Sequence, residues 1–331
     1  LKNLASSVLV CAVDGIALST AELDFFKKVQ PAGVTLFKRN IPEDFTETFT
    51  LSRSLQATVA SGSPRMIIAI DQEGGRVARI KQPFPDHGPA MDLADGLSDG
   101  AASVEIQDAA AKVGEALKSI GINVNFAPCV DILTEPNNHS IGDRAFGTDV
   151  DPVCIRAKSW LRGLQSAGVL GCLKHFPGQG DAIVDTHVGT AVIDLPRNLL
   201  DQRELVPFRA MLSKVEMVMI SHCIYPQISK TQASRSSEMI EGLLRGEMDY
   251  KGLVVSDDMN MGAIPQDRET WVEALIDALI AGSDLLLVCQ HLERFEWAIE
   301  GINRAIKKSK ALEMRVNQAA GRIAKTRAKL I

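Results

Sequence analysis

The chain has 331 residues, 46% hydrophobic and 23% charged, with a formal net charge of -5 at pH 7. That composition suits a soluble protein with a sizeable core, and the acidic balance offers no electrostatic footprint for nucleic acid or an anionic membrane. No apolar run approaches the span of about 18 residues needed to cross a bilayer.

Short apolar runs recur at residues 8–13, 33–37, 66–70, 124–127, 171–173, 215–220, 253–255 and 285–288. Each is rich in Val, Ile and Leu without alternation, the pattern of parallel strands buried on both faces. Helical periodicity fills several intervals. Over 103–120, Ile106, Ala110, Val113, Leu117 and Ile120 share one face. The long interval between the sixth and seventh runs carries a helical pattern at 239–244. Thr270 with Glu273 gives a capping-box spacing ahead of Val272, Leu275, Ile276, Leu279 and Ile280, and Gly282 suits the stop. A last amphipathic helix runs through Leu312, Val316, Ala319 and Ile323.

Eight strands alternating with helices predict an α/β fold, a (β/α)8 TIM-type barrel, rather than a doubly wound sheet. Gly74-Gly75 follows a strand, but the G-x-G-x-x-G spacing of a nucleotide site is absent. With no repeat, low-complexity tract or linker, residues 1–331 read as a single domain. The six cysteines include no C-x-x-C pair, so they are expected to be small, reduced core residues and not zinc ligands. No basic segment with an apolar core follows Leu1, so no signal peptide is read and a cytoplasmic location is expected, a leader removed ahead of Leu1 being the alternative.

The residues just past the runs are Asp14; Lys38, Arg39 and Asn40; Asp71 and Glu73; Asp131; Lys174 and His175; Ser221 and His222; Asp257 and Asp258; Gln290 and His291. Barrel closure would gather them on one rim, where such folds build active sites. Any one of them could be a helix cap; both signs concentrated at one mouth point to an enzyme. Asp257 is placed to attack an electrophilic carbon or to stabilise a cation, the competing role being an N-cap that Asp258 could also fill. Gly178, Gly180 and Gly189 make 177–190 a long loop. Within it Asp185 and His187 stand two apart, so the carboxylate can accept a bond from the imidazole, fix its tautomer and raise its basicity. A solvated loop histidine is the competing reading. Metal binding at Lys174-His175 lacks a second histidine at helical spacing, and Ser221 beside His222 lacks a G-x-S-x-G elbow. Asp71, Arg79, Arg144, Lys174 and His175 form a donor and acceptor set suited to a polyhydroxylated ligand.

Six motifs occur in order: Ile70-Asp71-Gln72-Glu73-Gly74-Gly75-Arg76-Val77-Ala78-Arg79, Asn125-Phe126-Ala127-Pro128, Ile141-Gly142-Asp143-Arg144-Ala145-Phe146-Gly147, Lys174-His175-Phe176-Pro177-Gly178-Gln179-Gly180-Asp181, Asp185-Thr186-His187 and Ser256-Asp257-Asp258-Met259. From about Val8 to the end, the chain resembles glycoside hydrolase family 3, in its single-domain β-N-acetylglucosaminidase branch. The resemblance implies a retaining hydrolase that removes terminal non-reducing β-linked N-acetylglucosamine, in bacteria often from peptidoglycan fragments during recycling; no metal or cofactor is expected. It implies Asp257 as nucleophile, His187 as acid and base with Asp185 as its dyad partner, and Asp71, Arg79, Arg144, Lys174 and His175 as sugar ligands. That plan departs from the usual pair of carboxylates. A saccharide substrate, no nucleic acid, no membrane span and a monomer are expected.

The family run is commonly Lys-His-Phe-Pro-Gly-His-Gly, and its sixth position here is Gln179, which cannot carry a proton charge near neutrality. Retained activity with altered loop packing or pH response is the expectation. The second domain of many family β-glucosidases has no room in 331 residues. Three alternatives stay open: a phosphorylase using phosphate as second acceptor, a β-glucosidase, and a non-catalytic sugar-binding barrel.

Overall fold

A computed structural model describes residues 4–81, 84–93, 95–186 and 188–330. The eight predicted runs become strands β1 (Leu9–Ala12), β2 (Gly33–Leu36), β3 (Ile67–Ile70), β4 (Val124–Asn125), β5 (Leu170–Phe176), β6 (Met217–Ile220), β7 (Leu253–Asp258) and β8 (Leu285–Leu287). Each pairs in parallel with its sequence neighbours, and β8 pairs with β1 to close the barrel. Between β6 and β7 the register runs from Met217 opposite Leu253 to Ile220 opposite Ser256. The fold is the (β/α)8 barrel that the alternation of runs predicts.

Burial on both faces explains the unbroken apolar runs: every residue of β1, β2, β3 and β6 is buried. Two strands extend past their apolar runs into charged sequence. β5 carries Lys174 and His175 while still fully buried, and β7 ends on half-buried Asp257 and Asp258. Charged side chains therefore leave the sheet at its C-terminal end with backbone that is still hydrogen-bonded.

The outer layer follows the predicted helical periods. Asp99–Ser119 packs against Val150–Ser166, and Gly163 permits that approach, since a Cβ there would lie 2.3 Å from the Gln107 carbonyl oxygen. The 239–244 pattern becomes Glu238–Glu247, wound wide as a π-helix, with Met248 N–H reaching the Leu243 carbonyl at 3.0 Å. The helix around Leu275 begins earlier than the Thr270 capping box predicts. Asp267 is the cap, its carboxylate accepting from Thr270 N at 3.1 Å, so the helix is Arg268–Ala281 and Gly282 closes it. A short antiparallel hairpin, Gln72–Gly74 with Val77–Ala78, follows β3 and is not foreseen by the apolar pattern.

At the N-terminal end of the barrel, buried Asp284 accepts from Val254 N at 3.1 Å, Arg245 Nη2 at 2.5 Å, Arg315 Nη2 at 2.9 Å and Arg322 Nη1 at 2.9 Å. This cluster ties the last helix, Lys310–Arg327, to the base of β8. All six cysteines are unpaired, five buried as expected and Cys154 only partly so. No helix of the described residues is long and apolar enough to cross a membrane.

Candidate active site

A cavity of about 430 Å³ opens at the C-terminal end of the strands. Thr35 of β2, Met219 of β6 and Leu287 of β8 line it with Phe126, while Lys174 of β5 and Asp257 of β7 bring charge to it. Of the residues expected from sequence to form the site, Asp71, Arg79, Arg144, Lys174, His175, Asp185 and Asp257 all line this one cavity. His187 lies outside the described residues.

One wall is a buried ion network. The Lys174 side chain is 2% exposed; its Nζ lies 2.6 Å from Glu73 Oε1 and 2.9 Å from Asp71 Oδ1. Arg144 grips Glu73 with both arms of its fork, Nε to Oε2 and Nη2 to Oε1, each at 2.9 Å. Arg79 Nη2 approaches Asp71 Oδ2 at 3.4 Å. Burial works against ionising Glu73, but the Arg144 and Lys174 charges prevail and hold its carboxyl well below the usual range. For Lys174 burial again opposes the charge, and Asp71 with Glu73 overcomes it, lifting the ammonium above its ordinary value. Glu73 and Lys174 are therefore held in their charged forms, with the partly exposed Asp71 at the cavity face.

Behind it stands a second cluster. Asp131, fully buried, accepts from His175 Nδ1 at 2.6 Å, His175 N at 3.2 Å, Gln179 N at 2.7 Å and Cys129 Sγ at 3.3 Å. Burial opposes the Asp131 charge, yet His175 and these donors hold its carboxyl low. With Nδ1 committed to Asp131, His175 turns Nε2 toward Arg144 Nη2, 3.4 Å away. Cys129, Asp131 and His175 offer metal-ligand atoms within 4.8 Å of one another. Their arrangement is that of a hydrogen-bonded hub, in which the carboxylate oxygens are already occupied by four donors.

The hub also explains how Gln179 fits. Its backbone N–H donates to Asp131 and its carbonyl accepts from Asn138 Nδ2 at 2.8 Å, so main-chain atoms anchor this turn. Its side-chain Oε1 is buried without a hydrogen-bond partner among the described residues. Next to it, a Cβ at Gly180 would fall 1.6 Å from the Ile132 carbonyl oxygen, which leaves glycine as the residue that fits.

The two adjacent aspartates of β7 divide their work. Asp258 Oδ1 accepts from Asn260 N at 3.1 Å, Asn260 Nδ2 at 2.9 Å and Cys289 N at 3.3 Å, fastening the loop after β7 to the end of β8. Burial pushes the Asp258 carboxyl up to about 6. Asp257 lines the cavity, with Oδ1 accepting from Asp258 N at 2.8 Å. Ser221 Oγ accepts from Cys223 N at 3.0 Å, and His222 bonds Ser234 Oγ at 2.8 Å and the Asp258 carbonyl at 3.1 Å.

Asp185 reaches the cavity from the loop after β5. Val188 N and Gly189 N close a turn on its carbonyl at 3.0 and 3.1 Å, and Ala263 N fastens the Thr186 carbonyl at 3.1 Å. Two residues beyond the predicted site set, Glu73 and Asp131, organise everything around them. Their position at strand ends was the visible signal; their partners, 71 and 44 residues away, were not.

This geometry coincides with three likenesses to known proteins. A β-hexosaminidase of Stenotrophomonas maltophilia (strain K279a) is 35% identical over 300 residues, 89% of this chain and 87% of its own length. A glycoside hydrolase family 3 β-N-acetylglucosaminidase structure from Paenibacillus sp. str. FPU-7 superposes with a TM-score of 0.90 at 34% identity, covering 99% of this chain and 62% of that one. The β-N-acetylhexosaminidase crystal structure from Beutenbergia cavernae DSM 12333 superposes with a TM-score of 0.87 at 26% identity, covering 98% of both chains. The model of the glycosyl hydrolase family 3 N-terminal domain matches residues 7–326, the whole barrel with its closing helix, and the chain belongs to that family.

Proposed function

We propose that this chain is a β-N-acetylhexosaminidase that removes terminal, non-reducing β-linked N-acetylglucosamine with retention, from saccharides of the peptidoglycan type. The observation that carries the reading is the convergence of Asp257, Asp185 and the Asp71–Glu73–Arg144–Lys174 ion network on one cavity of about 430 Å³. Fixed cations and carboxylates at hydrogen-bond spacing suit the hydroxyls of one sugar ring, and Asp71, Arg79, Arg144, Lys174 and His175 are the ligands we assign.

In the first half-reaction, a carboxylate oxygen of Asp257 attacks the anomeric carbon as the glycosidic C–O bond breaks. The departing oxygen takes a proton from the His187 imidazolium, whose orientation Asp185 secures. In the second, the now neutral His187 accepts a proton from water, the water oxygen attacks the same carbon, and the Asp257 carboxylate leaves. Two displacements restore the β-configuration. A neutral or cationic imidazole, unlike a second carboxylate, does not repel the Asp257 charge. The Gln179 side chain plays no part in this cycle, and its place in the loop is supported by its backbone bonds.

The rest of the reading is that residues 1–331 form one catalytic unit, monomeric and cytoplasmic, with no nucleic-acid partner. Its supports are the single closed barrel, six unpaired cysteines and the net charge of -5. The test is hydrolysis of paired aryl β-N-acetylglucosaminide and β-glucoside substrates, with and without phosphate, followed by proton NMR. We expect selective release of N-acetylglucosamine, first as the β-anomer and unchanged in rate by phosphate. An initial α-anomer, a sugar phosphate product, equal use of the glucoside, or no turnover overturns it.

A further inference from the structure

Asn138, in the loop after β4, is buried and divides its side-chain hydrogen bonds between two loops. Its Nδ2 donates to the Gln179 carbonyl at 2.8 Å and the Gly180 carbonyl at 2.9 Å, at the root of the loop after β5. Its Oδ1 accepts from Ser140 Oγ at 2.7 Å and Ile141 N at 3.1 Å within its own loop. These partners fix the orientation of the amide, because the flipped form would set oxygen against the two carbonyls. A buried asparagine with every bond made is ordinarily a fastener of loops. What sets this one apart is where the two loops lead.

Followed in either direction, the contacts return to Asn138. From Oδ1 they pass to Ser140, whose carbonyl accepts from Arg144 Nη1 at 2.8 Å, and Arg144 Nη2 lies 3.4 Å from His175 Nε2. From Nδ2 they pass to Gln179, whose N–H donates to Asp131 at 2.7 Å, and Asp131 accepts from His175 Nδ1 at 2.6 Å. Arg144 and His175 thus sit side by side in a ring of six residues, Arg144 on the loop after β4 and His175 on β5. Their direct approach is the longest step of that ring, so their spacing depends on the shorter bonds around it. Glu73 takes Nε and Nη2 of Arg144 while the Ser140 carbonyl takes Nη1, which sets the plane of the fork from both sides.

We propose that Asn138 is a positioning residue for sugar recognition, closing the ring that holds Arg144 and His175 at one spacing for the hydroxyls they bind. This rests on the reading that the cavity takes N-acetylglucosamine against those two side chains. Arg144 and His175 line the cavity and Asn138 does not, so it acts on the sugar only through them. Asp257 stands outside the ring, at the end of β7. Opening the ring should therefore weaken binding of the ring sugar and leave the bond-making step largely intact.

The experiment measures kcat and KM on an aryl β-N-acetylglucosaminide, and Ki for N-acetylglucosamine, in the wild type, Asn138→Ala and Asn138→Asp, each below its melting transition. Asn138→Asp keeps the acceptor for Ser140 and Ile141 but turns a carboxylate oxygen on the Gln179 and Gly180 carbonyls, so it opens the ring on one side only. We expect KM and Ki to rise together by about tenfold in both variants, with kcat changed by less than about threefold. A lowered melting temperature with Ki unchanged would make Asn138 a fastener of loops and overturns the inference. So does an Asn138→Asp protein that binds like the wild type, or a fall in kcat alone, which would place its action on the loop of the acid. Hydrogen exchange on the wild type requires no variant to fold. Saturating N-acetylglucosamine should slow exchange in 138–144 and 176–182 together, and protection confined to one of them overturns the ring. If N-acetylglucosamine neither binds nor inhibits the wild type, the sugar reading falls and this inference with it; a wild type that binds it beside variants that bind equally well sinks the role of Asn138 alone.

Discussion

The two sides of the cavity are built in opposite ways. On one side buried Lys174 and Glu73, at strand ends, are ion-paired with Asp71 and the largely covered Arg144, with Asp131 bracing His175 from behind. On the other, Asp185 stands on a loop, in a turn that Val188 N and Gly189 N close and Ala263 N fastens at Thr186, flanked by exposed aliphatics. Recognition calls for groups that stay put, since any reorientation on binding weakens preorganised electrostatics. Proton transfer must serve a leaving alcohol and then an incoming water, and a loop can admit each in turn. Asp257, at the end of β7, belongs to the fixed side. On the proposed reading, the nucleophile stands on a barrel strand, while the partner of the acid is carried by the loop after β5.

The largest effect should come from the fixed side's reactive group. Asp257→Ala should lower kcat by at least about a thousandfold on an aryl β-N-acetylglucosaminide, with melting temperature little changed. A variant retaining full rate would break the division outright. On the loop side, His187→Ala should cost about 10²- to 10⁴-fold on alkyl glycosides and far less in the first step on substrates whose leaving group needs no proton. Equal losses on both substrate types would argue that His187 is structural.

The eight strands were legible because burial on both faces selects continuous Val, Ile and Leu runs. The C-terminal extents of β5 and β7 were not, because Lys174, His175, Asp257 and Asp258 read as loop chemistry while their backbone still pairs. The hairpin after β3 escaped for a similar reason: Gln72 to Ala78 has no apolar face. At the site, position at a strand end and the ordered motifs named most of the cavity lining. The brace roles of Glu73 and Asp131 depend on partners 71 and 44 residues distant, information that no local spacing contains. Asp267, not Thr270, caps its helix because either residue satisfies the local rule and only tertiary placement decides.

The fixed side should also betray itself in stability. Glu73→Gln leaves Arg144 and Lys174 without their shared counter-charge in a buried setting, and should cost about 3–5 kcal/mol by denaturant unfolding along with a raised KM. A loss under about 1 kcal/mol would show the network to be loosely solvated. The smallest effect concerns the root of the loop. Glu204 is buried against Gly178, with Arg203 Nε 2.6 Å from Oε1 and with Oε2 unpartnered among the described residues, and burial pushes its carboxyl up to about 7 despite Arg203. The native state therefore binds this proton more tightly than the unfolded chain. The resulting stabilisation is full below the unfolded value near 4.5 and is lost as pH rises through 7, up to roughly 3 kcal/mol. Glu204→Gln should flatten the fall in melting temperature between pH 5 and 8; an unaltered slope would assign that fall to other groups.

The central claim is that Asp257 becomes covalently bound to the sugar while His187 moves the protons. His187→Ala separates the two roles, because a good aryl leaving group needs no acid whereas water still needs a base. Exposed to an activated aryl β-N-acetylglucosaminide and quenched, the His187→Ala protein should gain the mass of one N-acetylglucosaminyl group, mapped by peptide sequencing to Asp257. No adduct, or an adduct on another residue, would contradict it.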